Sequence, residues 1–216
     1  MPDYRNNSVK YWDDVHQNQK RDRNSIRTDN WLERFDDIIM KSKKPILDLG
    51  CGGGNDTLWL ISKGRKVIAC DQSETAVDSI IRNFPEVYEA QCFNMLDGFP
   101  FEEDSFDVII ADLCLHYFSK ADTLVVAEEI RRILIPGGHM IFRVNSINDV
   151  NYGAGQGREI EHHVYETKAG TLKRFFDEED ICSLFRSFEI EYLNEEAMDR
   201  YGAEKRLFTG CLKLEL

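Results

Sequence analysis

Five positions set the chemistry open to this chain: Asp48, Gly50, Gly52, Asn55 and Asp71. Pro45 to Leu49 is a short apolar run that ends in a glycine cluster, which fits a buried parallel strand feeding a tight turn. Glycines at such a turn let a ligand approach backbone that side chains would shield. A dinucleotide fingerprint, G-x-G-x-x-G/A, starts at Gly50 and Gly52, but its third glycine position holds Asn55. Asp48 would repel a pyrophosphate, yet a carboxylate there could hold a cationic amino group through the turn. Asp71 closes the next apolar run, 66–70, where an acid can accept hydrogen bonds from both hydroxyls of a ribose.

A D-x-G-x-G turn with an acid closing the following strand resembles the cofactor loop of the class I, Rossmann-like S-adenosylmethionine-dependent methyltransferases. Residues 104–118, D-S-F-D-V-I-I-A-D-L-C-L-H-Y-F, resemble the fourth motif of that family, and 133–142 also matches it. The resemblance is specific over roughly residues 45–145 and looser elsewhere. It implies S-adenosylmethionine as cofactor, with Cys51, Gln72, Met95, Ala111, Asp112 and Leu113 lining its site beside the five residues above. In this family the third strand usually ends in an acid that accepts from the adenine amino group. Counting back from Phe99-Pro100-Phe101, that position falls on Asn94, whose side-chain oxygen can still accept; Asp97 is the second candidate. Leu115-His-Tyr-Phe118 and Lys173-Arg-Phe-Phe176 look like the bacterial tellurite-resistance type and its small-molecule relatives. Some of those carry a His-Arg pair in the last hairpin, where this chain has Asp199-Arg200.

A sulfonium methyl is already activated, so transfer needs alignment and dry surroundings more than acid–base help. If the acceptor arrives protonated, His116 is the candidate base; the alternative is a histidine satisfied within the strand-end network. Arg143, Arg158 and Arg200 could position an anionic acceptor or simply pair with the abundant carboxylates. Tyr11 and Trp12 fit either a hydrophobic anchor for the N-terminal arm or, as the resemblance implies, a lid over the cofactor, and Tyr117 is grouped with them as a substrate-side residue. An NAD-dependent oxidoreductase would reuse Asp71 but conflicts with Asp48 and Asn55. A non-catalytic S-adenosylmethionine-binding protein would keep the turn and lose the acceptor pocket.

These residues need a scaffold, and the patterning describes one. Strand–helix alternation with long crossovers gives an α/β fold, a mostly parallel sheet closed by a hairpin at 188–193 and 206–214. The resemblance implies about seven strands with the last antiparallel. Residues 1–42 form an N-terminal helical arm, in which Trp31, Phe35, Ile38 and Ile39 recur at helical spacing over 30–40. Residues 43–216 form the methyltransferase domain. Helices are predicted from Asn55, from Ser73 with Ala76, Val77, Ile80 and Ile81 inward, and over 121–134 with Val125, Ile130, Ile133 and Leu134 inward. A polar, glycine-rich insertion, 145–172, reads as a long loop that either folds over the substrate or is ornamental. It carries Arg158, Glu159, His162, His163 and Tyr165. The adjacent histidines have no second ligand cluster, so no metal is expected.

At 216 residues with a net charge of −12, the chain is expected to be one acidic domain that binds no nucleic acid and acts on a small-molecule acceptor. The basic clusters 20–23 and 41–44 read as solvated faces. No apolar run approaches a membrane span, and the polar N-terminus does not resemble a signal peptide. Six cysteines without a C-x-x-C pair read as buried apolar residues in a reducing cytoplasm. Oligomeric state leaves no trace in the sequence.

Overall fold

The computed structural model describes residues 3–19 and 22–215; Lys20 and Arg21 of the first basic cluster lie outside them. Its strands are β1 (Ile46–Leu49), β2 (Val67–Asp71), β3 (Glu89–Cys92), β4 (Phe106–Asp112), β5 (Leu134–Asn145), β6 (Arg158–Glu161), β7 (Val164–Glu166), β8 (Leu172–Arg174), β9 (Phe188–Met198) and β10 (Lys205–Leu214). Its α-helices are α1 (Tyr4–Asn18), α2 (Asp36–Lys41), α3 (Asn55–Ser62), α4 (Glu74–Asn83), α5 (Lys120–Ile133) and α6 (Glu178–Leu184).

Seven strands make one sheet in the order β3-β2-β1-β4-β5-β10-β9. β10 is antiparallel to both neighbours and the other six run one way, as expected. The central strands are apolar on both faces because helices cover both. Leu47, Ile109 and Phe142 face a core shared with Ile130 of α5 and Ile181 of α6. Their chain neighbours Ile46, Ile110 and Ile141 face the opposite core, built with Phe35, Ile39, Leu60 and Ile80. Truncating a fully buried residue such as Ile110 to alanine should cost about 2–5 kcal/mol.

Local chemistry sets the helix starts. The Ser73 hydroxyl accepts from the Ala76 amide to begin α4, and Ser119 accepts from Asp122 to begin α5. At α6, Asp177 and Asp180 form a reciprocal capping box.

Several local expectations are corrected. The helix over 30–40 is a 3-10 turn, Trp31–Phe35, followed by the short α2, so Leu32 takes the buried place beside Phe35 and Ile39. Ile81 and Val125 are exposed; the buried face of α4 is Ala76, Val77 and Ile80, and that of α5 includes Val126 and Ala127. Cys51, Cys70 and Cys211 are buried, but Cys92 and Cys182 are exposed; all six are free thiols. The insertion is no simple loop: β6, β7 and β8 form a separate antiparallel sheet within and just beyond it. Three of its glycines, at 153, 155 and 157, take positive φ and lead the chain into β6. No described helix is long and apolar enough to cross a membrane.

Candidate active site

The carboxyl ends of β1, β2 and β4 open into a cavity of about 480 Å3. It lies where the strand order reverses between β1 and β4, the place where open α/β sheets leave a crevice. The glycine turn forms its floor. Gly50 has a φ of +71°, and a Cβ there would stand 2.5 Å from the Cβ of Cys114, so only glycine fits. Gly54 is held equally tightly against the Phe84 ring.

Asp71 faces this turn from the end of β2. One of its oxygens accepts the Gly52 amide and the other the Ser73 amide, each at 3.0 Å. Burial pushes the Asp71 carboxyl above its ordinary range, and the backbone N–H groups of Ser73 and Gly52 oppose that shift. Each oxygen keeps acceptor capacity for a ribose hydroxyl. Asp48, buried at the end of β1, accepts the Thr57 hydroxyl. Burial raises its pKa to about 7 against that hydrogen bond, and nearby Asp112 and Asp71 push the same way. A cation arriving beside Asp48 would be favoured, because it stabilises the charged carboxylate.

At the end of β3, Asn94 and Gln72 both line the cavity. The Asn94 oxygen accepts the Leu96 amide at 2.9 Å and retains one lone pair. The second adenine candidate, Asp97, is exposed, pairs with Arg5 and does not reach the cavity. Cys51, Asn55, Met95 and Leu113 join the lining, whereas Ala111 is buried in β4 beneath it.

Four charges gather behind the other wall, where Asp112 and Arg200 line the cavity. Asp112 and Arg143 are register partners on β4 and β5, and the guanidinium grips the carboxylate at 2.6 and 2.8 Å. Arg200 meets the same carboxylate at 2.9 Å, and both arginines reach Asp29 at 2.8 Å. Burial works to raise Asp112, but the two guanidiniums win and hold its carboxyl below the ordinary range. The Arg143 guanidinium also lies 4.4 Å from the centre of the Trp31 ring, whose indole N–H donates to Asp56 at 2.9 Å. Two acids and two arginines balance one another, so neither arginine carries spare charge for an anionic acceptor. That corrects the expectation for Arg143, which does not line the cavity; Arg200 lines it while neutralised.

α1 lies across the opening. Trp12 packs edge-on against Tyr117 at 5.0 Å, Tyr11 sits beside it, and the His16 ring lies over Gly52. On the side away from Asp71, His116, Tyr117, Tyr152, Lys173, Tyr201 and Lys205 form a mixed aromatic and cationic chamber. His116 is buried, and burial drives its pKa well below the ordinary imidazole value, with Lys205 and Lys173 adding to the shift. It is therefore neutral and weakly basic.

Four expected substrate residues stand apart from the cavity. Arg158 is exposed and pairs with Glu166; Glu159 accepts the His163 amide; His162 stacks on His163 at 3.7 Å; Tyr165 packs on Phe175. Arg158, Glu159 and Tyr165 sit on strands that pair with each other and His162 in the turn between them, and none of the four lines the cavity. His163 lies 2.7 Å from Asp180 and 3.9 Å from Asp177, but both carboxylates already cap α6. The sequence reading missed Asp29, Asp56, Tyr152, Lys173, Tyr201 and Lys205. Only Lys173 stood in a quoted motif; the others come from segments whose partners are distant in sequence.

A family described as "Methyltransferase domain" matches residues 47–142. The tRNA N(3)-methylcytidine methyltransferase of Schizosaccharomyces pombe is 26% identical over 85% of this chain and 80% of its own length. The tRNA N(3)-methylcytidine methyltransferase of Drosophila melanogaster is 30% identical over 82% of this chain, which spans 60% of that protein. Among solved structures, the Burkholderia thailandensis 1,6-didemethyltoxoflavin N1-methyltransferase, with S-adenosylhomocysteine bound, superposes with a TM-score of 0.72. It is 18% identical, over 100% of this chain and 91% of that one. The tRNA-directed relatives overturn the expectation of a small-molecule acceptor and no nucleic acid. That expectation rested on net charge, which averages over the surface and says nothing of the local field at one opening.

Proposed function

We propose that this chain, a class I S-adenosylmethionine-dependent methyltransferase, passes the sulfonium methyl to a ring nitrogen of cytidine presented by an RNA. The donor would lie along the glycine turn, with its ribose on Asp71, its ammonium beside Asp48 and its adenine near Asn94. Its methyl would then point toward the chamber of Trp12, Tyr117, Tyr152 and Tyr201.

The observation that carries this reading is that one cavity joins the Asp71–Gly52 edge to an aromatic, cationic chamber. Aromatic faces can stack a base, and lysines at the same opening can meet its backbone. The activity of the relatives supplies the acceptor atom, N3 of cytidine. At neutral pH that nitrogen is unprotonated and carries an in-plane lone pair. As the new C–N bond forms, the C–S bond breaks; the sulfonium becomes a neutral thioether and the positive charge passes to the base. No proton has to leave before attack, which agrees with a neutral His116 that orients rather than deprotonates.

The test is turnover of S-adenosylmethionine to S-adenosylhomocysteine with a tRNA pool, an RNA stem-loop bearing cytidine, cytidine 5′-monophosphate and cytidine. Mass analysis of digested RNA should show methylated cytidine. Cofactor binding with no methylated cytidine from any of these acceptors would overturn the reading.

A further inference from the structure

The chamber wall away from Asp71 holds one buried and one half-buried lysine and too few acids to match them. Lys205, at the start of β10, pairs with buried Asp149 at 2.7 Å. The second oxygen of Asp149 accepts the Arg206 amide at 3.0 Å, so this acid is fully engaged. Lys173, on β8, has no carboxylate within ion-pair distance among the described residues; its ammonium donates to the Tyr152 carbonyl at 2.8 Å. The two lysines flank one ring, their nitrogens 4.8 and 6.0 Å from the centre of Tyr152. Two cations against one acid leave a positive charge facing the cavity.

A second observation points to the same place. The Nδ1 atom of His116 is buried and has no hydrogen-bond partner, although the side chain lines the cavity. Its backbone carbonyl accepts the Arg174 amide at 2.8 Å, so it is tied to the residue after Lys173. An orphaned buried nitrogen is costly unless a ligand completes it. Burial and the neighbouring Lys205 lower the Lys173 pKa to about 8, the mark of a cation kept without its counter-ion.

We propose that Lys173 and His116 form an oxyanion subsite that takes the phosphate group of the acceptor nucleotide. This deepens the cytidine reading and rests on it for the identity of the acceptor, but not for the anion itself. Lys173 supplies the charge and His116 a neutral hydrogen-bond partner; its Nδ1 donates in the tautomer that carries the proton there. Lys205 is held by Asp149 and acts as support. The phosphate would anchor the nucleotide so that its base stacks in the aromatic chamber beside the donor methyl, a positioning role that uses binding energy remote from the reacting atoms. An RNA-borne phosphate and a free nucleotide offer the same group.

Two measurements test this on the full chain loaded with S-adenosylhomocysteine or S-adenosylmethionine. In the first, inorganic phosphate is titrated while NMR or calorimetry follows binding. Saturable binding is expected in the wild type, at least tenfold weaker in Lys173→Met and largely kept in Lys173→Arg. In the second, kcat and KM are compared for cytidine, cytidine 5′-monophosphate and the RNA stem-loop. Lys173→Met should raise KM for the phosphate-bearing acceptors at least tenfold more than for cytidine, with kcat changed less. Loss confined to the monophosphate assigns the subsite to free nucleotides, and loss confined to RNA assigns it to the polymer. S-adenosylhomocysteine affinity within a few-fold of wild type certifies that each variant is folded. Equal losses on cytidine and its phosphorylated forms, or phosphate binding indifferent to Lys173, would overturn the subsite. Phosphate binding that depends on Lys173, without turnover of any cytidine, would uphold the subsite and sink the cytidine reading.

Discussion

Asp13 of α1 accepts the hydroxyl of Ser73 at 2.7 Å, and that same hydroxyl oxygen accepts the Ala76 amide that begins α4. Ser73 stands two residues after Asp71, so the helix over the cavity is clasped to the cofactor's edge of the sheet. Asp13→Ala should therefore loosen α1, raising the S-adenosylhomocysteine off-rate several-fold and lowering amide protection across 4–18. The hydrogen bonds from Ser73 and Thr75 hold the Asp13 carboxyl below its ordinary range. Its charged clasp is complete above the unfolded carboxylate pKa, about 3.9, and lost as pH falls through the lowered folded value. Stopped-flow displacement checks the first effect and hydrogen exchange the second.

Asp71→Ala should weaken S-adenosylmethionine binding by about 1.5–3 kcal/mol, because it removes charge-assisted acceptors from the ribose. Calorimetry on a folded variant measures this directly. Unchanged affinity would take Asp71 out of the site.

Asp48 should make the empty protein less stable as pH rises. Its folded pKa, about 7, lies above the unfolded value. Between those values the native state holds a proton that the unfolded chain has released, so stability falls with rising pH, by up to about 4 kcal/mol in all. Asp48→Asn keeps a partner for Thr57 and removes that penalty. Urea melts should find the variant close to wild type at pH 4 and more stable at pH 8, yet poorer at binding S-adenosylmethionine. A difference that does not grow with pH would contradict the assignment.

Arg143→Met should cost about 3–5 kcal/mol, the usual consequence of leaving buried carboxylates without a partner. Asp112 would retain Arg200 alone, and Asp29 would lose one of its two guanidiniums. Denaturant unfolding gives the magnitude. A stability loss below 1 kcal/mol would mean that water already reaches this network.

The half of the cavity proposed for the donor was legible because its signals are local. Asp48, Gly50, Gly52 and Asp71 lie on two successive strand ends, and a positive φ at Gly50 forces a residue type that shows in the sequence. The acceptor half was not. Lys173 and Lys205 come from different sheets, and their neighbourhood follows from how β8 and β10 meet around Tyr152. Arg143 looked like an available charge until register placed Asp112 opposite it. Arg158, Glu159, His162 and Tyr165 attracted notice by residue type, but they belong to a small sheet whose strands pair among themselves, and none of them lines the cavity. The insertion read as a loop because its strands are only three or four residues long, too short for period-two alternation to stand out.

The helix Tyr4–Asn18 has no fully buried residue, yet it touches both halves of the cavity. Ser8 accepts the Gln72 side-chain amide at 3.3 Å at the Asp71 end, and Trp12 packs on Tyr117 at 5.0 Å at the other. One door thus serves two visitors, and a door so placed imposes a queue. On the proposed reading, the donor and its spent form would both pass α1, and any grip of the acceptor on the Trp12 side would lengthen the stay of the by-product. On that same reading, an S-adenosylhomocysteine off-rate and a turnover rate that rise together when α1 is loosened, as in Asp13→Ala, would show that this opening paces the enzyme.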